Sequence, residues 1–193
     1  TSITFISLFL NHSIFINNHN DGALYMNNTQ LMISNTKFQN NSAYVDGGAI
    51  ALYNTKGQIS SSLFTFNEIL PGDGNGGALS IIGDHTNLII TNSNFSNNFA
   101  FADAGAIYQT GGIINIKDSF LLNNIANDNG GAISSNNGEL IINNNTINNN
   151  NCKNNGGAIN IVNDGKLKTL NSIIKQNTAL TGGAIFFASS NHM

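Results

Sequence analysis

A tetrapeptide, Gly-Gly-Ala-Ile/Leu, returns along this 193-residue chain at a nearly fixed interval. Its second glycine falls at Gly22, Gly48, Gly77, Gly105, Gly131, Gly157 and Gly183; the first glycine is replaced in Asp21-Gly22-Ala23-Leu24 and Ala104-Gly105-Ala106-Ile107. The intervals are 26, 29, 28, 26, 26 and 26 residues. Such a period restricts the chain to architectures that stack one small unit on copies of itself, because a unit of that size cannot bury its apolar face alone. A second motif, Asn/Ser-Ser/Thr-x-Phe/Ile-x-x-Asn, alternates with the first. It reads Asn35-Thr36-Lys37-Phe38-Gln39-Asn40-Asn41, Asn92-Ser93-Asn94-Phe95-Ser96-Asn97-Asn98 and Asn171-Ser172-Ile173-Ile174-Lys175-Gln176-Asn177. Looser copies centre on Phe64, Phe120 and Ile147, and Ser7-Leu8-Phe9-Leu10-Asn11-His12 reads as the tail of one more.

The unit is not helical. No window carries a 3.6-residue apolar period, and Gly and Asn are poor helix formers. Asn alone accounts for 38 residues. Short apolar runs recur instead: Leu31-Met32-Ile33, Leu88-Ile89-Ile90 and Leu140-Ile141-Ile142 as one strand per coil, Ile50-Ala51-Leu52, Leu79-Ser80-Ile81 and Ile159-Asn160-Ile161 as another. The Phe/Ile motif begins a third. Clusters such as Asn136-Asn137-Gly138 and Asn163-Asp164-Gly165 separate them, and these residue types tolerate the positive φ of tight turns. Two to three short strands per turn, in register, predict an all-β right-handed single-stranded parallel β-helix of about seven coils. At about 4.8 Å per coil the stack spans roughly 34 Å. Residues 1–193 read as one segment of a longer solenoid.

Stacking places equivalent residues above one another. Phe38, Phe64, Phe95, Phe120, Ile147 and Ile174 are expected as one interior column, and Leu24, Ile50, Leu79, Ile107, Ile133, Ile159 and Ile185 as a second. Burying each such side chain is worth roughly 1.5–3 kcal/mol. Asn41, Asn67, Asn98, Asn123, Asn150 and Asn177, which close the Phe-x-x-Asn motifs, are expected to form a corner ladder bonding backbone groups and one another. His12 substitutes for Asn in that ladder. The long interval holds an inserted loop, Ile69-Leu70-Pro71-Gly72-Asp73-Gly74.

The alternation of Gly-Gly-Ala-Ile with Phe-x-x-Asn resembles the repeats of chlamydial polymorphic outer-membrane proteins, which are autotransporter adhesins. The resemblance runs over essentially the whole chain. It implies a secreted or cell-surface β-helical stalk with structural, fibre-like or adhesive duty.

Charge argues in the same direction by exclusion. Seven Lys, no Arg, ten acidic residues and a formal net charge of −3 provide no basic patch for nucleic acid or an anionic membrane, and no bidentate anion clamp. No apolar run reaches the roughly 18 residues of a membrane-spanning helix. One cysteine excludes an intrachain disulfide. Cys152 shares its offset with Ala43, Ala100 and Ala179, so it reads as a small buried filler rather than a nucleophile. His12, His19, His85 and His192 show no metal-ligand spacing. Asp21, Asp46, Asp73, Asp103 and Asp128 lie just upstream of their marker glycines, but at unequal offsets that fit turn residues better than a calcium column. Asp21 and Asp46, one and two residues before their marker glycines, are the best candidate for a carboxylate pair across coils, but they fit plain turn residues before glycine better. No catalytic, cofactor or metal residue is assigned. Sequons fall at Asn11, Asn27, Asn40, Asn94 and Asn144, about the number chance provides, with Asn40 and Asn94 expected as the more accessible.

The resulting expectation is a non-catalytic structural or adhesive segment of an extracellular or cell-surface protein. Its expected partners are further coils, end-to-end copies, surface glycans or cell-surface proteins. The alternatives are a polysaccharide-active enzyme and a carbohydrate- or ice-binding flat face carrying Tyr25, Tyr108 and Phe186. Both ends read as ordinary coil, residues 3–9 at one end and Gly182-Gly183-Ala184-Ile185-Phe186-Phe187 at the other, which predicts continuation or end-to-end association.

Overall fold

The computed structural model describes residues 6–189; the expectations for residues 3–5 and for His192 lie outside them. Every strand pairing is parallel and joins one coil to the next. Each of the five inner coils contributes four strands, one more than the sequence reading, and the first and last described coils contribute three each. Thr29–Ser34, Lys37–Gln39, Ser42–Ala43 and Ile50–Tyr53 make one such turn. Their counterparts stack into a first, second and fourth sheet of seven strands each and a third of five. The third sheet is built from two-residue strands, too short to show an alternation in sequence.

Registry follows the Gly-Gly-Ala-Ile motif. Leu24, Ile50, Leu79, Ile107, Ile133, Ile159 and Ile185 are paired in succession across the fourth sheet. The five from Ile50 to Ile159 are fully buried. In the second sheet Phe15, Phe38, Phe64 and Phe95 stack face to face, with centroids 4.9, 4.9 and 4.5 Å apart and planes within 10° of parallel. The column continues through Leu121, Ile147 and Ile174.

Two placements differ from the sequence reading. Phe120 is 50% exposed, and its neighbour Leu121 is the buried residue paired with Phe95. Correspondingly Asn124, not Asn123, enters the ladder. The segment Ser119-Phe120-Leu121-Leu122-Asn123-Asn124 matches the motif only when the count starts from Ser119. The aromatic ring one place early obscured it. At the other end of the stack, Phe9 lies 63% exposed on the first sheet opposite Met32, and His12 occupies a left-handed corner rather than the ladder. Ser13-Ile14-Phe15-Ile16-Asn17-Asn18 is the first coil's version of the motif.

Three insertions fit without breaking a sheet. Residues between Ile69 and Asn75 loop out, since Ile69 still pairs with Ala43 and Asn75 with Asp46. A second extra turn lies between Ile82 and Asn87, and a third between Val162 and Lys166. Both flanking strands of each stay in register.

Candidate functional site

Most of the polar side chains that the motif repeats are consumed inside the stack. In the ladder, Asn67 Nδ2 donates to Asn98 Oδ1 at 3.1 Å and to the Phe38 carbonyl at 3.1 Å. Its own Oδ1 accepts from the backbone N–H of Asn41 at 3.1 Å and from Asn41 Nδ2 at 2.9 Å. The same pattern runs from Asn18 through Asn41, Asn67, Asn98, Asn124 and Asn150 to Asn177. An amide has two donors and two acceptor lone pairs, so the interior members are saturated. Asp would bring no donor, and Ser only one.

The residue before each ladder Asn has a left-handed backbone: Asn17, Asn40, Phe66, Asn97, Asn123, Asn149 and Gln176, with φ between 54° and 59°. Asn tolerates this region better than other residues with a Cβ. Tandem Asn-Asn is therefore the sequence signature of one corner, the first residue turning the chain and the second filling it. Asn123 belongs to the first class.

A second polar column went unrecognised in the sequence although the motif contains it. The hydroxyls of Ser62, Ser93 and Ser119 accept the backbone N–H of Thr36, Ser62 and Ser93 in the preceding coil, at 3.1–3.2 Å. Asn145 and Ser172 continue it. A third column lies two residues before each marker glycine. Asp46 Oδ1 accepts the Asn75 N–H, Asn75 Oδ1 that of Asp103, and Asp103 Oδ1 that of Asn129, at 2.9–3.1 Å. Asp46 and Asp103 thus share a column, whereas Asp73 sits in the inserted loop. Among the described residues no three carboxylates, histidines or cysteines converge to hold a metal. Cys152 is 4% exposed, its thiol donates to the Asn155 carbonyl at 3.2 Å, and burial pushes its pKa up.

The sequons sit mainly on the rim of the coils. Asn11, Asn27, Asn40 and Asn144 are exposed. Asn94 is half-buried, with its Oδ1 covered, and is less accessible than the sequence suggested.

A surface concavity contains the two carboxylates singled out in the sequence. Asp21, Tyr25, Ala43, Val45, Asp46, Ala51 and Tyr53 line a groove of about 330 Å³. Ala43 and Ala51, both nearly fully buried, form its floor; Tyr25 and Val45 rise from it, each 65% exposed. The Tyr25 and Tyr53 rings are 5.3 Å apart and tilted by 37°. The Tyr53 hydroxyl donates to Asp46 Oδ2 at 3.3 Å. Burial raises the Asp46 carboxyl above its ordinary value, against the pull of the Asn75 N–H and the Tyr53 hydroxyl. Burial and the adjoining carboxylate raise the Tyr53 phenol. Tyr25 does not begin an aromatic ladder: its column continues through Ala51, Ser80, Tyr108, Ser134, Asn160 and Phe186.

No curated protein and no solved structure matches the chain. Residues 35–53 match the family model of the Chlamydia polymorphic membrane protein repeat. The matched stretch runs from the left-handed Asn35 through Phe38, the ladder Asn41 and Gly47-Gly48 to Tyr53 at the groove, so the solenoid carries a repeat of that kind, with one copy of each motif inside it.

Proposed function

We propose that this chain is a non-catalytic structural and adhesive segment of a cell-surface β-helical protein. The observation that carries the reading is the use of polar side chains at the corners: three columns saturate backbone groups from coil to coil, which makes the segment a rigid spacer. The polymorphic membrane protein repeat at residues 35–53 supports a location at an outer membrane or cell surface. Further coils of the same chain or end-to-end copies are the neighbours that parallel stacking accommodates, and glycans or proteins of an opposing surface are the adhesive partners.

Antibodies raised against the folded solenoid test the location on intact, unpermeabilised cells of the source. Surface labelling removed by external protease is expected; labelling only after permeabilisation overturns the reading. Beads coated with the purified segment are expected to adhere to an opposing cell surface above albumin-coated beads. Reducing-end release from polysaccharides, abolished by Asp46→Asn, would replace this reading with an enzymatic one.

A further inference from the structure

The groove between the third and fourth sheets combines two carboxylates with two aromatic rings. Its polar lining groups are the carboxylates of Asp21 and Asp46 and the hydroxyls of Tyr25 and Tyr53, and one hydroxyl already donates to Asp46. No Lys, Arg, His, Asn or Gln lines it. It therefore offers acceptors and negative charge, beside two aromatic faces, with few donors in return. Asp46 is partly withdrawn from water and no cation compensates it; among the described residues the one ion pair present is Lys117–Asp118, on another face.

We propose that this groove receives a basic side chain, lysine or arginine, presented by a partner protein. Charge complementarity carries the assignment. A cation above the tyrosine pair can lie within about 6 Å of both ring centroids, the range of a cation–π attraction. Its N–H groups can donate to the two carboxylates, where charge-assisted bonds are the strong ones. The apolar stem lies along Val45 and over the alanine floor, as long cationic side chains commonly bury their stems. A neutral sugar could donate its hydroxyls to the carboxylates but would leave their charge uncompensated, and an anion would be repelled. The inference rests on the adhesive reading and names the chemistry its partner would present.

The test is an NMR titration of the isotopically labelled protein with N-acetyl-lysine and N-acetyl-arginine methylamides, and with the neutral N-acetyl-norleucine methylamide of similar shape. Saturable shifts at Tyr25, Ala51 and Tyr53 are expected for the two cations, with norleucine weaker by about fivefold or more, a difference of about 1 kcal/mol. Asp46→Asn should weaken the cations by a similar factor, as should Tyr25→Ala. The first variant keeps the fold, because Asn already fills the equivalent position at Asn75, Asn129 and Asn155. The second alters an exposed ring. Salt of about 0.5 M should suppress the cation shifts. Equal titration by norleucine, an unchanged lysine titration in both variants, or shifts produced by cellohexaose and not by the cations would each overturn the proposal. Such a failure leaves the cell-labelling result untouched, so the two readings fail separately.

Discussion

Phe95 shows how much a single residue carries. Its ring is stacked 4.5 Å from Phe64 on one side and paired with Leu121 on the other, fully buried. Truncation to Ala opens a cavity between coils that rigid neighbours cannot close, and should lower stability by about 3–5 kcal/mol in chemical denaturation. An unchanged midpoint would remove the aromatic column as a source of stability. Asp103 makes the opposite case. Burial raises its carboxyl above the ordinary 3.8, in a column where Asn is the usual occupant. The ionised form is the disfavoured one in the fold. Its contribution to stability is therefore full below the ordinary carboxylate range and is lost as pH rises through the raised folded value. Asp103→Asn should thus stabilise the protein at pH 7 by about 1 kcal/mol, the size of one hydrogen bond gained, with the advantage shrinking as the pH falls. Melting curves of the two proteins across pH read this directly; an advantage that grows in acid would contradict the sign.

At the scale of the element, the second glycine of the five inner motifs, Gly48, Gly77, Gly105, Gly131 and Gly157, marks a close backbone approach at the corner between the third and fourth sheets. A Cβ on Gly131 would lie 2.1 Å from the Gly157 carbonyl oxygen and 2.7 Å from the Asn151 nitrogen, both backbone atoms that cannot step aside. Gly131→Ala should therefore push the fourth sheet off the third and lose several kcal/mol, whereas Gly72→Ala, whose nearest neighbour is 3.3 Å away in the inserted loop, should be nearly neutral. Comparable thermal midpoints for the two variants would count against the close approach. The same element explains what the sequence made legible. Motifs with a large side chain at a fixed offset identify their column directly, as Ile50 and Phe38 do. Where two large apolar residues adjoin, as Phe120 and Leu121 do, ring size pointed to the wrong one; the serine column upstream holds the registry through a backbone bond. The two-residue strands were invisible because two residues cannot display a period. The groove was half legible: Asp21 and Asp46 were paired by their offsets, but Tyr53, which completes it, sits where other coils carry Asn27, Ile82, Thr110, Asn136 and Val162, so no recurring residue type marked it.

For the whole molecule, the coil is the unit of both sequence and stability, since each contacts only the coils above and below. Ile107 and Ile133 occupy the same place in successive coils, and the chain between them keeps a 26-residue spacing in all four sheets. Removing residues 107–132 joins Ala106 to Ile133 in register. The Leu79 strand then meets the Ile133 strand, Phe95 drops out of the deleted span's influence to meet Ile147, and Asn98 meets Asn150. The deletion should leave a folded solenoid one coil shorter, with far-ultraviolet circular dichroism per residue unchanged and unfolding still cooperative. Removing residues 107–131 instead leaves one residue too many. A shift by one turns every inward side chain of a strand outward, because side chains alternate with a period of two. That chain must either bulge at the junction or expose the Ile133 and Ile142 strands, and should melt well below the 26-residue deletion. Equal melting temperatures for the two deletions would mean that coil registry is not what holds the stack together.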